Sequence, residues 1–119
     1  MTTDYIALSP EHTVGDAVDR LRSFEGAVET VSTIYLTDSQ EKLVGSVPLV
    51  SLVLAPGGTR LGTLTPEHVI FVEASASDKD VAEMFDKYNL LTLPVVDEEQ
   101  RLTGIITADD VISLLRDRI

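Results

Sequence analysis

Both halves of the chain carry the same succession of residues, and this internal repetition restricts the possible folds more than any other feature. Residues 35–38 align with residues 94–97, and residues 43–51 align with residues 102–110. Both alignments share one offset of about 59 residues, an agreement that chance rarely produces. A chain of 119 residues can hold one compact domain or two interlocked repeats, but it is too short for two independent cores. We therefore predict an internal duplication within one folding unit.

Apolar periodicity and turn signals predict the same order of elements in each half, namely strand, helix, strand, strand and helix. In the first half these elements fall at residues 6–8, 14–24, 31–37, 43–47 and 48–54. In the second half they are a strand at residues 69–72, a helix capped by Ser77, two strands that flank residues 97–101, and a final helix near residue 108. Because the Pro- and Gly-rich stretch 55–59 breaks the pattern, we predict one repeat at residues 1–58 and a second at residues 59–119.

The junction between the last strand and the last helix is a candidate ligand site. Unpaired backbone N–H groups and the helix dipole make a helix start suited to anions. The hydroxyl of Thr107 could reach a phosphate oxygen there, and the carboxylate of Asp110 could accept hydrogen bonds from a ribose diol. The alternative is that Thr107 and Asp110 only cap the helix, which is the more common role of such residues.

The stretch Gly104-Ile105-Ile106-Thr107-Ala108-Asp109-Asp110 resembles a pattern of cystathionine-β-synthase (CBS) domains: Gly, two apolar residues, Ser or Thr, two variable residues and Asp. Residues 93–97 resemble the strand that precedes this pattern in the family. The resemblance covers essentially the whole chain. It implies a mixed α/β (α+β) fold, the tandem CBS pair or Bateman module, in which two β-α-β-β-α repeats pack around a pseudo-twofold axis with clefts between them. Such pairs often form homodimers, so we expect a homodimer.

The two repeats are unequal at the positions that this family uses for ligands. The first repeat has Pro48 and Ser51 where the second has Thr107 and Asp110. Pro48 has neither a hydroxyl nor an N–H group, and Ser51 cannot hold a diol with two oxygens. A bound nucleotide is therefore expected at Thr107 and Asp110.

The pseudo-symmetry that the resemblance implies places the base of such a nucleotide against the opposite repeat, at Thr33, Ile34 and Tyr35. The alternative role of these residues is packing within the core of their strand. Positive charge is scarce near this site in the sequence, which favours AMP or an adenosyl group over ATP, or an empty site.

A closer resemblance links the chain to the cytosolic CBS pair of MgtE-type magnesium transporters. It rests on the opening Met1-Thr2, on residues 33–38, on residues 83–90 and on residues 93–99. In those transporters the pair lies between an acidic helical domain and the membrane part, so we expect a fragment at the cytosolic face of the membrane. The implied function is a gating domain that responds to Mg²⁺ and/or an adenine nucleotide. The alternative is a stand-alone or structural CBS pair that dimerises and has no transport role.

Magnesium is the second candidate ligand, since it is a hard cation that prefers carboxylate and water oxygens. The candidate ligands lie on one face of a predicted helix: Asp78, Asp80 and Glu83. The alternative is that these carboxylates form only the solvated face of an amphipathic helix.

Composition excludes several other classes of function. The formal net charge of −11 opposes binding to nucleic acid or to anionic membranes, and no Cys is present to form a disulfide or a thiolate metal site. No signal peptide and no apolar stretch of about 20 residues occurs, so we expect a soluble cytoplasmic chain. No catalytic motif accompanies His12 or His68, so we expect a protein that is not an enzyme.

Overall fold

The computed structural model describes residues 2–26 and 31–116. The first repeat contains strand β1 (Ala7–Leu8), helix α1 (Val14–Arg22), strands β2 (Thr33–Thr37) and β3 (Leu43–Pro48), and helix α2 (Leu49–Leu54). The second repeat contains strand β4 (Val72–Glu73), helix α3 (Asp78–Tyr88), strands β5 (Thr92–Val96) and β6 (Leu102–Thr107), and helix α4 (Ala108–Arg116). A short 3₁₀ helix (Leu61–Thr63) lies between the repeats. The predicted duplication and its mixed α+β class are confirmed.

Each repeat builds one three-stranded sheet, and the two sheets have the same topology. Strand β2 pairs in parallel with β1 and antiparallel with β3, and strand β5 pairs in the same two ways with β4 and β6. The pairing register shifts after Leu36 in the first sheet and after Val95 in the second. Even the irregularities of the sheet are therefore repeated.

The helix starts follow from local hydrogen-bonding residues in the sequence. Thr13 and Asp16 form a capping box at α1, in which each residue's backbone N–H donates to the other's side chain. Ser77 caps α3 as predicted, and Asn89 ends that helix in the left-handed conformation. Helix α1 stops at Arg22, two residues before the predicted end.

Strand β4 is shorter than the sequence predicted. Only Val72 and Glu73 pair with β5, so the prediction of a strand at residues 69–72 was wrong for its first three residues. The apolar residues before Val72 therefore do not mark a strand. Ile70 packs against the core of the second repeat without joining the ladder, and Phe71 is partly exposed.

Within the described part of the chain, three apolar clusters form the core, one in each repeat and one at the junction between them. The junction cluster consists of buried Tyr35, Leu102 and Ile105, with Tyr5 and Leu43 packed against it. The start of the chain also reaches across: the backbone N–H groups of Thr2 and Ile105 donate to each other's carbonyl oxygens at 2.8 and 2.9 Å. The two repeats are therefore held together by both side-chain packing and backbone pairing.

The connection between the repeats is fixed against the first one. Val14 N–H donates to the Thr59 carbonyl, Gly15 N–H to the Gly57 carbonyl, and Leu61 is fully buried in the first core. The predicted division after Gly58 stays a prediction. None of the helices within residues 2–26 and 31–116 combines the length and apolar character needed to cross a bilayer.

Candidate functional site

Thr107 and Asp110 lie where strand β6 passes directly into helix α4. The N–H of Thr107 donates to Asp110 Oδ2 at 3.0 Å, and the N–H of Asp110 donates to Thr107 Oγ1 at 3.3 Å. This reciprocal capping box has the same form as the one at the start of α1. It is the capping role that the sequence also allowed for Thr107 and Asp110. A carboxylate has about four acceptor sites, so capping does not prevent ligand binding. The nucleotide-binding role of both residues stays a prediction.

A cavity of about 180 Å³ lies between the two repeats. The first repeat contributes one wall: Thr33, Tyr35, Ser46 and Pro48. The other wall comes from the second half of the chain: Pro66, His68, Ile70, Leu90, Thr92 and Pro94. None of these lining residues is Lys, Arg, Asp or Glu. The cavity therefore joins apolar walls to hydroxyl groups and lacks formal charge when His68 is neutral.

A cluster of hydroxyl groups crosses from one repeat to the other at this cavity. The hydroxyl of Tyr35 is hydrogen-bonded to that of Thr92, with 2.8 Å between their oxygens, and the hydroxyls of Ser32 and Thr92 are 3.1 Å apart. Tyr35 is almost fully buried. Burial raises the pKa of its phenol above the ordinary value, while the hydrogen bonds to Thr92 and Thr33 act in the opposite direction. The phenol is consequently neutral at physiological pH.

The structure brings some of the predicted site residues together and separates others. Thr33 and Tyr35 line the cavity, whereas Ile34, the residue between them, is fully buried in the first core. Successive side chains of a strand point to opposite faces, which explains this separation. Thr107 faces Thr92 as its partner in the β5–β6 ladder, but neither Thr107 nor Asp110 lines the cavity.

Eight of the ten lining residues were not predicted from the sequence, and two of them, Thr92 and Pro48, are instructive. Thr92 occupies in the second repeat the place that Thr33 occupies in the first, since each faces the last residue of the neighbouring strand. Applying the duplication to Thr33 would have identified it. Pro48 lines the cavity although its half-site was discounted for lacking a hydroxyl.

The carboxylates proposed for magnesium do not form a compact cluster. Asp78, Asp80 and Glu83 are exposed on α3, and the backbone N–H of Asp80 donates to the Ser77 hydroxyl at 3.1 Å. Throughout the described ranges, no three His, Asp or Glu side chains are placed to hold a metal ion. Acidic residues in the first turn of a helix also interact favourably with the positive end of the helix dipole. Magnesium binding at these three residues stays a prediction.

Helix α2 presents an apolar face to solvent. Its six residues carry no charge, and three of them, Val50, Val53 and Leu54, are 62%, 82% and 80% exposed. Their spacing of three and four residues places them on one side of the helix. Exposed apolar patches of this kind are typical of interaction surfaces.

Comparison with known proteins identifies relatives of the whole chain. A profile of the family described as CBS domain matches residues 1–57 and again residues 62–117. The magnesium transporter MgtE of Thermus thermophilus is 36% identical over 115 residues, which cover 97% of this chain and 26% of the transporter. Inosine-5'-monophosphate dehydrogenase of Methanocaldococcus jannaschii is 26% identical over 110 residues, covering 92% of this chain and 21% of that enzyme.

A solved structure supports the same relationship. The cytosolic domain of the Mg²⁺ channel MgtE in complex with ATP superposes with a TM-score of 0.91 at 35% identity. The match covers 96% of this chain and 46% of the solved one. The chain spans only about a quarter of the full-length transporters that it matches.

Proposed function

The chain belongs to the CBS domain family as a tandem pair, and on this premise we propose that it is a regulatory, ligand-sensing module of an MgtE-type magnesium transporter. The module would lie on the cytosolic side of the membrane and have no catalytic activity of its own. One observation carries the proposal: a cavity whose two walls come from different repeats. A ligand in such a cavity contacts both repeats, so its binding free energy can favour one relative arrangement of them.

The proposed ligand contains an adenine group. Its base would occupy the cavity that Thr33, Tyr35 and Thr92 line, with the ribose directed toward Thr107 and Asp110. The cavity of about 180 Å³ is smaller than the roughly 300–1,000 Å³ of typical ligand pockets, so it accommodates a base and not a whole nucleotide. The ATP complex of the similar MgtE domain supports this class of ligand.

Magnesium would act on the same module through charge. A chain with net charge −11 repels other acidic surfaces, and bound cations reduce that repulsion. Mg²⁺ keeps several of its waters and is often held by only one or two carboxylates, so a compact three-carboxylate cluster is not required. Asp78, Asp80 and Glu83 are the proposed contacts, and binding to this chain alone is expected to be weak.

We further propose that the module functions as a homodimer through the apolar face of α2, formed by Val50, Val53 and Leu54. Because this helix carries no charge, two copies can approach here despite their acidic surfaces elsewhere. Burying these side chains supplies the favourable free energy.

Thermal unfolding with adenosine, AMP, ATP or Mg²⁺ tests the sensing function, because a ligand that binds the native state raises the melting temperature. We expect an increase with an adenine compound and a smaller one with Mg²⁺. Replacing Asp110 by Ala is expected to abolish the increase with adenine compounds and to preserve the increase with Mg²⁺. Asp109→Ala, which removes an exposed carboxylate one position earlier, serves as the control.

The variants are compared by the change in melting temperature that the ligand causes and not by the melting temperature itself. Asp110 also caps α4, so its removal is expected to lower the melting temperature without ligand. If none of the four ligands shifted the transition, the alternative of a purely structural dimerisation module would be favoured. If adenine compounds still shifted it in Asp110→Ala, the proposed ribose contact would be refuted.

A further inference from the structure

We propose that residues 2–5 form a strap whose attachment to the second repeat is coupled to ligand binding at Thr107 and Asp110. A bound ligand holds the strap in place, and release of the strap weakens ligand binding. This inference rests on the proposed function, because it concerns the regulation of the same site. It is carried by hydrogen bonds and packing that reach from the start of the chain into the second repeat.

The strap belongs to the first repeat in sequence but is bonded to the second. Ile6, which follows the strap, is fully buried in the first core. Tyr5 packs against the cluster at the junction of the repeats, and its hydroxyl donates to the Leu102 carbonyl at 3.4 Å. Thr2 pairs with Ile105 through two backbone hydrogen bonds of 2.8 and 2.9 Å. The strap therefore extends from one repeat, across the junction, to strand β6 of the other.

The strap and the capping box of α4 use neighbouring N–H groups on one edge of β6. This strand lies at the edge of its sheet, so one of its two sides does not face β5. Every second residue of an antiparallel strand directs its backbone groups to the same side. Ile105 N–H donates on this outer side to the Thr2 carbonyl. Thr107 N–H, two residues and about 7 Å further along, donates to Asp110 Oδ2. Release of the strap therefore removes a restraint next to the capping box.

The strap also contacts the cluster that holds Tyr35. Tyr35 is 2% exposed, lines the cavity and is hydrogen-bonded to Thr92 across the repeats. It forms the junction cluster with two residues of β6, and Tyr5 covers part of that cluster. Release of the strap takes Tyr5 away and leaves apolar surface of the cluster in water, which is unfavourable. The strap thus supports both parts of the proposed site, the cavity and the junction of β6 with α4.

The first repeat has an equivalent of the strap that is more firmly fixed. Ser46 corresponds to Ile105 at the offset of about 59 residues, and its N–H donates to Thr65 Oγ1 at 2.8 Å. Thr65 belongs to the connection between the repeats, which is anchored by the buried Leu61 and by backbone bonds to α1. In the described part of the chain, the strap has one backbone bridge to the second repeat. Segments with few buried contacts open most readily, so the strap is the releasable one of the two.

Thr2→Pro tests the inference, because it removes the N–H that donates to the Ile105 carbonyl. Hydrogen exchange at the Ile105 amide of the full chain measures strap attachment, and we expect it to be at least about tenfold faster in the variant. Isothermal titration with adenosine, AMP and ATP measures binding. We expect the dissociation constant of each compound that binds to rise about five- to tenfold, and coupling is reciprocal, so saturating ligand should slow Ile105 exchange in the wild type by the same factor.

Thr2→Val is the matched control. It keeps both backbone bonds to Ile105 and removes only the hydroxyl that accepts the Asp4 N–H at 3.1 Å. We expect exchange and affinity to stay within about twofold of the wild type. Faster Ile105 exchange in Thr2→Pro with unchanged affinity would overturn the coupling. Unchanged Ile105 exchange in Thr2→Pro, or an equal loss of affinity in both variants, would overturn the role of the strap.

If none of the three compounds bound, the proposed function would be refuted, and a double-mutant cycle would still test the strap. Urea denaturation of Thr2→Pro, Asp110→Ala and the double variant measures the coupling between the strap and the capping box without any ligand. We expect the unfolding constant of the double variant to be at least about threefold smaller than the product of the single effects, because the first substitution already loosens β6. Additive effects in this cycle would overturn the inference.

Discussion

Lys42 and Arg101 are antiparallel bridge partners at the point where the hairpins of the two repeats meet. The bonds on either side are reciprocal: Leu43 N–H donates to the Gln100 carbonyl at 3.0 Å, and Leu102 N–H donates to the Glu41 carbonyl at 3.1 Å. Residues 41–43 of the first repeat align with residues 100–102 of the second, so each residue in this exchange pairs with a segment equivalent to its own. The duplicated sequence thus creates a local pseudo-twofold axis in the backbone pairing between the two hairpins.

The tight turns that make this pairing possible force one residue of each hairpin into the left-handed region. Gln100 has φ of 67° and Glu41 has φ of 66°. Because glycine adopts this conformation without a steric penalty, we expect Gln100→Gly to raise the free energy of unfolding by about 0.5–1 kcal/mol. Urea denaturation measures the change. Glu98→Gly, in the same turn but without positive φ, is the control and should lower stability. A loss in both variants of equal size would contradict the strain argument.

The carboxylate of Asp97 organises the second hairpin and makes its stability depend on pH. Asp97 Oδ1 accepts hydrogen bonds from the N–H groups of Arg101 and Glu99 at 3.0 and 2.8 Å, and Oδ2 accepts one from Arg101 Nε at 2.9 Å. The backbone N–H of Arg101 is the main cause that holds the pKa of Asp97 below its usual range. The ionised form is therefore favoured in the folded state, and its stabilisation is present above the unfolded pKa of about 4 and lost as the pH falls through the lower folded value.

We accordingly expect Asp97→Asn to lower the melting temperature at pH 6 and to have progressively less effect as the pH falls from about 4 toward 2. Thermal unfolding of both proteins across pH 2–6 measures this difference. Glu98→Gln is the control for a loss of charge in the same loop. A difference between wild type and Asp97→Asn that stayed constant with pH would exclude the ionised carboxylate as its cause.

Much of the fold was predictable because the determinants are local and occur twice. The capping residues Thr13 and Ser77 and the continuous apolar runs of β2 and β5 each specify their elements from a few neighbouring residues. Strand β4 was predicted too long because an apolar residue indicates burial but does not indicate hydrogen bonding to a neighbouring strand. Ile70 is apolar since it contacts the core and the cavity.

The site was harder to predict because it depends on how the repeats face each other. Thr33 and Tyr35 line the cavity, and their contact with a ligand stays a prediction. Their position beside Thr92 follows from packing between the sheets, which no local pattern encodes. At Thr107 and Asp110 the same residue types satisfy a capping box and a ligand site equally well. Sequence alone cannot separate two roles that require identical chemistry.

Gly45 in β3 lies next to Thr65, which belongs to the connection between the repeats. The absence of a side chain at Gly45 lets this connection pack closely against β3. A Cβ atom at this position would lie 2.8 Å from Thr65 Oγ1 and 2.9 Å from Leu36 Cδ1. Thr65 Oγ1 also accepts the N–H of Ser46 at 2.8 Å, so displacing it disturbs that bond. We expect Gly45→Ala to lower the free energy of unfolding by about 1–3 kcal/mol in urea denaturation.

Gly57→Ala is the matched control, because a Cβ there would meet no atom within 4 Å. It should be neutral or stabilise by up to about 1 kcal/mol, since alanine restricts the unfolded chain. Equal effects of the two substitutions would show that the close approach of Thr65 to Gly45 does not limit packing.

The apolar face of α2 leads to a prediction about assembly. Val53 is 82% exposed, so replacing it by Asp removes little packing within one chain but places a charge in the proposed dimer interface. We expect Val53→Asp to shift the sedimentation-equilibrium distribution from dimer to monomer, with a dissociation constant at least about tenfold higher. Leu91→Asp is the control, because Leu91 is 69% exposed but lies outside α2. If Leu91→Asp dissociated the dimer and Val53→Asp left it intact, the interface would have to lie near the second repeat's β5 and not on α2.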